Sequence, residues 1–237
     1  MLRVSSICLW LGAFVFESGV FCQTYVGIFL GFRWTVPTSI NEKGEIVRYF
    51  SNSFGGAEQG FVRAADGTIT EFGNFAVFGT TAFSINAAGA FTGYAPAFAG
   101  FSLEGGPIFF NSGYVRDPEG NSTSFDPPGS ISAIPLSINA GGAITGYYYE
   151  SNLVIHGFVR EPNGHIFSFD PPGSTSTKAV SINATGIIAG YYKVANMSVH
   201  GFVRRPGGPI ESFDPPESTG TIVSAINTRE QLRGFTQ

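Results

Sequence analysis

A 44-residue unit is repeated back to back in this chain, over residues 137–180 and again over 181–224. A chain built this way stacks copies of one supersecondary motif, each burying the face its neighbour leaves bare. The unit extends outward from that pair. Ser-Ile-Asn begins at Ser39, Ser84, Ser137 and Ser181, and Ala225-Ile226-Asn227 opens a fifth copy. The spacings are 45, 53, 44 and 44 residues. A second marker, Gly-aromatic-Val-Arg, begins at Gly60, Gly113, Gly157 and Gly201. The long second copy carries its extra residues between the two markers, around Ala99 to Asn111, which reads as a loop insertion. The copies are therefore 39–83, 84–136, 137–180, 181–224 and a partial 225–237.

Each copy holds two turn signals. Asn-x-x-Gly recurs at Asn41, Asn86, Asn139 and Asn183, where the Asn side chain can bond its own backbone and Gly accepts a positive φ. An x-Pro-x-Gly turn follows at Asp117, Glu161 and Arg205, and Asp66-Gly67 takes its place in the first copy. Short runs rich in Ile, Val, Phe and Tyr flank both turns, too short for helices. Two hairpins per copy make four strands. Asp-Pro-Pro then stops the fourth, because proline cannot donate to a ladder. Four antiparallel strands per unit of this length predict an all-β fold, a β-propeller of four-stranded blades; another antiparallel β array is the alternative. Tyr25 to Pro37 matches the repeat poorly, and the last copy ends after its first hairpin. The expected architecture is five blades, the fifth completed by N-terminal strands, because closure removes exposed sheet edges.

Residues 1–22 read as an export signal: Arg3, then an uncharged, mostly apolar run from Val4 to Phe16. Residues 23–237 then form a single domain, secreted, extracellular or periplasmic. An uncleaved anchor is the alternative. Both cysteines, Cys8 and Cys22, lie in this leader, so a mature chain would have none and would depend on packing. Charged residues make up 13% of the chain and the net charge is −4, which argues against a nucleic-acid partner. No membrane span is expected once the signal is removed, and the protein is expected to be a monomer.

Ser-Ile-Asn-x-x-Gly, x-Thr-Gly-Tyr-Tyr, His-Gly-Phe-Val-Arg and Ser-Phe-Asp-Pro-Pro-Gly together resemble the HAF-type probable extracellular repeat family of bacteria. The resemblance covers about residues 39 to 237 and is loosest in the first copy, where Gly73 replaces the Asp after Phe72. It implies an exported, propeller-like repeat protein of unassigned function and supplies no catalytic or binding residues.

The candidate chemistry is sparse. Asp126, Asp170 and Asp214 recur before Pro-Pro and read as strand-end turn residues rather than calcium ligands or a glycosidase pair. His156 and His200 occupy matching positions; His165, in a turn, is the third histidine. A zinc site would need carboxylates as well, so neither metal nor cofactor is expected. Arg63, Arg116, Arg160 and Arg204 are expected to meet a neighbouring acid or to project into solvent. Nucleophile-elbow, P-loop and dinucleotide patterns are absent from the sequence. The recurring Ile and Phe positions read as blade-to-blade core. Of the tyrosines ending the second strand, one ring should point in and one out. An outward Tyr148 or Tyr192, beside His156, His200, Asn152 and Asn196, would make a stacking platform for a sugar. The expected function is a non-catalytic binding or surface-interaction module for an unknown protein or glycan. A carbohydrate-binding propeller lectin with repeated sites is the alternative, and a propeller hydrolase ranks third.

Overall fold

The structure, a computed structural model, describes residues 34–51, 58–72, 79–101, 104 and 107–236. The expected leader, both cysteines, residues 23–33 and Gly73 lie outside the described residues. Every regular element among the described residues is a β-strand. The first sheet runs β1 (Trp34–Ile40), β2 (Ile46–Ser51), β3 (Glu58–Arg63), β4 (Ile69–Phe72) in that order. The second runs β5 (Thr81–Ile85), β6 (Phe91–Phe101), β7 (Pro107–Arg116), β8 (Ser122–Phe125). The third repeat supplies β9 (Ser132–Ile138), β10 (Ile144–Tyr149), β11 (Ile155–Arg160) and β12 (Ile166–Phe169). The fourth supplies β13 (Ser174–Ile182), β14 (Ile188–Val194), β15 (Val199–Arg204) and β16 (Ile210–Phe213). One parallel bridge, Ile155 to Ser176, joins these last two groups into an eight-stranded sheet. A hairpin of β17 (Thr221–Ile226) and β18 (Leu232–Thr236) follows.

Ser-Ile-Asn closes the first strand of each group rather than opening the unit. Trp34 to Pro37 accordingly lie in β1 and pair with β2, so they are not spare strands for a last blade. The expected insertion loop is a correction too. The extra residues lengthen β6 and β7, which stay paired from Phe91–Arg116 out to Phe101–Pro107, with one register shift between Phe98 and Gly100. Alternating aromatic and small residues there carry on the pleat, with Phe98 and Phe109 edge-on at 5.8 Å.

Each first strand carries a β-bulge at a matching place, skipping Thr38, Phe83, Leu136, Val180 and Ser224 in turn, and β13 has a second at Thr175. The opposing residue in the second strand is Arg48 in the first group and Gly93, Gly146, Gly190 and Gly234 in the other four. A Cβ on Gly146 would sit 2.2 Å from the Ile134 carbonyl oxygen, closer than any packing allows. At these four bulges glycine is thus required by the close approach of the first strand's carbonyl.

Three couplings recur between successive groups, and they account for most of the repeat consensus. The Asn Nδ2 of one copy donates to the Asn carbonyl of the next: Asn41 to Asn86, Asn86 to Asn139, Asn139 to Asn183, Asn183 to Asn227, at 3.0–3.1 Å. The same Asn Oδ1 accepts from its own turn, as at Ala143 N (2.9 Å). The preceding Ser Oγ accepts the Ile amide of the next copy: Ser39 from Ile85, Ser84 from Ile138, Ser137 from Ile182, Ser181 from Ile226. Finally, Arg116, Arg160 and Arg204 place their guanidinium groups over Phe72, Phe125 and Phe169 of the preceding group, at 5.4, 5.1 and 4.8 Å. Neither an acid partner nor open solvent is what these arginines find. A planar, weakly hydrated cation gains more on an aromatic face at a partly buried seam.

The core lies between groups, as expected for the recurring Ile and Phe. Phe125 of the second group packs with Ile138, Ile144, Tyr148 and Phe158 of the third. Phe169 of the third packs against Ile182, Ile188, Tyr192 and Phe202 of the fourth. Ile85, Ile138, Ile182 and Ile226 are 5–8% exposed, whereas their counterpart Ile40 is 54% exposed. Among the described residues no group precedes the first to cover it.

Candidate functional site

Strand alternation decides which tyrosines face out. Tyr148 and Tyr192 are the inward rings, only 3% and 7% exposed. They cannot offer the sugar platform expected of them. Each lies opposite a histidine in the ladder and stacks on it: Tyr148 on His156 with centroids 5.3 Å apart, Tyr192 on His200 at 5.4 Å. Their hydroxyls meet Ser168 Oγ (3.0 Å) and Ser212 Oγ (2.9 Å).

The histidines turn their other side to the Asp of Asp-Pro-Pro. His156 Nδ1 lies 2.6 Å from Asp170 Oδ2, and His200 Nδ1 2.6 Å from Asp214 Oδ2. A carboxylate only accepts, so Nδ1 donates. In the second group Ser112 Oγ makes the same bond to Asp126 at 2.9 Å. The recurring Asp therefore ties the third strand to the connection that follows the fourth. Thr221 Oγ1 also donates to Asp214, at 2.5 Å. Burial would raise the Asp214 carboxyl, but the hydrogen bonds from Thr221 and His200 outweigh it and hold it below the ordinary value. Asn152 and Asn196 sit in exposed hairpin turns, where their Oδ1 atoms accept from the Val154 and Ser198 amides at 2.9 Å. The six expected residues thus form two equivalent Tyr–His pairs, each with an Asp, plus two turn asparagines. In these clusters the ring faces and most of the polar atoms are spent inside the fold.

The outward face carries a different constellation. Tyr94, Tyr147 and Tyr191 hold the same place in successive groups, each just after the glycine opposite the bulge. Tyr149 lies edge-on to Tyr147 at 5.8 Å. Lys178, directly across from Tyr191 in the β13–β14 ladder, places its ammonium 4.9 Å from the Tyr147 ring centre. Tyr147, Tyr149, Tyr191, Lys178 and Lys193 are all half-buried. Burial, then the neighbouring phenols, pushes the Tyr147 hydroxyl up to about 12. Burial, then the charge of Lys193, depresses Lys178. Among the described residues, neither lysine has a carboxylate within ion-pair distance. Lys178 breaks the repeat, since Val36, Thr81, Ile134 and Ile222 stand at its place in the other ladders. That break was the available sequence signal; the bulge makes its register hard to count.

No family model matches this chain, and no curated protein matches it. Among solved structures it is similar to selenomethionine-substituted virginiamycin B lyase from Staphylococcus aureus, at 14% identity and a TM-score of 0.46, over 86% of this chain and 73% of that one. It is also similar to an arginine-to-alanine triple mutant of AofleA from Arthrobotrys oligospora, at 14% identity and 0.45, over 81% of this chain and 63% of that one. Neither likeness assigns an activity.

Proposed function

We propose that this protein is an exported, non-catalytic binding module, built as a propeller-like ring of five four-stranded blades. The observation that carries the binding reading is the half-exposed row Tyr94, Tyr147, Tyr191 with Lys178 set against it. Flat rings with a hydroxyl edge and a cation without a carboxylate partner make a recognition surface. Export and the β-propeller rest on the resemblance to the HAF-type repeat family and on the leader-like residues 1–22. The non-catalytic reading is supported by the symmetry of the two Tyr–His–Asp clusters, which pin strands in both repeats alike. The test is binding of the full chain to the surface extract of its source, by pull-down with Tyr147→Ala/Tyr191→Ala as control. Specific capture lost in the double variant supports the reading. Identical capture by both, with both folded, refutes it.

Ring closure has its own support. Ile40 is bare where its four counterparts are buried, and β18 is exposed along its whole length. Closure of the ring would cover both. Ile40→Asp then destabilises the chain as strongly as Ile182→Asp; a thermal melt unchanged by Ile40→Asp argues for an open array.

A further inference from the structure

From the notch formed by Lys178, Tyr147, Tyr149, Tyr191 and Lys193, we infer that the ligand is a carboxylate-bearing saccharide. This rests on the binding-module reading and adds its chemistry. Lys178 comes from the first strand of one repeat, and Tyr147 and Tyr149 from the second strand of the repeat before it. The notch therefore spans a seam between repeats. The ammonium lies 4.9 Å from the Tyr147 ring centre, and Tyr149 stands edge-on to that ring at 5.8 Å. Tyr191 and Lys193, two apart on one strand, share one face of the fourth group.

Arg116, Arg160 and Arg204 rest on aromatic rings, and Arg205 bridges the carboxylates of Glu211 and Glu230 at 2.9 Å. Lys178 and Lys193 have no carboxylate partner among the described residues, although the chain is acidic on balance. Burial, then the charge of Lys193, disfavours the charged form of Lys178, and an incoming anion relieves both. A lone ion would need only the ammonium groups. Half-buried phenols around them supply ring faces for the apolar side of a pyranose and hydroxyls for its rim. Lys178 stands where the other ladders carry Val36, Thr81, Ile134 and Ile222, so among the described residues a single copy of the notch is built and it selects one acidic sugar residue.

The experiment titrates the full chain with a galacturonate trisaccharide, its carboxyl-reduced neutral counterpart, and a tri-glutamate peptide, by calorimetry at low salt. We expect the acidic saccharide to bind roughly 10- to 100-fold more tightly than the neutral one, the range of a charge-assisted hydrogen bond. Binding should fall by a similar factor in Lys178→Met, recover in Lys178→Arg, and weaken in raised salt. Equal binding of acidic and neutral saccharide, or unchanged binding by a folded Lys178→Met, overturns the carboxylate assignment while leaving a binding module in place. Binding of the peptide alone overturns the saccharide. Binding of no probe overturns the inference, and the pull-down above decides the broader reading independently.

Discussion

Asn139→Ala isolates the coupling between repeats. Asn139 is 8% exposed, donates to the Asn183 carbonyl at 3.1 Å and accepts from the Ala143 amide at 2.9 Å. Truncation removes both bonds. The Asn183 carbonyl keeps a partner, because it also accepts from Gly186 N at 3.0 Å. The Ala143 amide keeps none for its Asn139 bond and is only half exposed. Two net hydrogen bonds at about 1 kcal/mol each, plus a partial desolvation penalty, give a loss of about 2–4 kcal/mol. For a domain of this size that is a fall of roughly 5–12 °C in Tm. Asn227 is the control. It has the same turn bonds, but its Nδ2 meets its own Gln231 at 2.8 Å, and it is exposed. Asn227→Ala should cost about 0.5–1 kcal/mol. Urea denaturation followed by far-ultraviolet circular dichroism measures both variants. Equal losses in the two would mean that the turn bonds, not the bond across the seam, carry the energy, and the ladder argument would fail.

Other outcomes follow from single positions. Glu217 takes φ 65° where Gly129 and Gly173 hold φ 81° and 76° in the equivalent Pro-Pro turns, so Glu217→Gly should stabilise by about 0.5–1 kcal/mol in the same denaturation assay. Gly146→Ala should cost more than about 3 kcal/mol or abolish folding, because its Cβ meets the Ile134 carbonyl; a normal melting curve would refute the bulge requirement. Asp214 is held below its unfolded value, so its contribution is present above pH ~4 and disappears as pH falls through the folded value. Asp214→Asn should therefore flatten the acid side of a stability–pH profile, at a cost near neutral pH of about 0.5–1 kcal/mol after screening. Lys178→Met should raise Tm rather than lower it, since the folded state disfavours the Lys178 charge.

The sequence showed the strands well and the seams poorly. Asn-x-x-Gly and x-Pro-x-Gly each mark a real hairpin, because turn chemistry is local. The contact to the next repeat is not local. Asn139 reads as a turn former from its own four residues, and its second bond, 44 residues away, has no signature beyond recurrence. Arg160 likewise reads as a solvent-facing charge until Phe125 is placed under it. Tyr148 was assigned the wrong face because three consecutive tyrosines give alternation but no phase; the phase comes from Gly146 and the bulge opposite. The lengthened β6–β7 hairpin was read as a loop because its extra residues fall between the two repeat markers, yet pairing continues through them with a single register shift between Phe98 and Gly100.

The asparagine rungs all point one way along the chain, donor in one copy and acceptor in the next. Such an array behaves like a head-to-tail polymer with interchangeable monomers. An in-frame duplication or excision of one 44-residue unit recreates a seam already present between 137–180 and 181–224. Copy number is then free to drift by unequal recombination without inventing an interface. A residue that must act only once, as Lys178 does, is the part of the chain such drift would blur first.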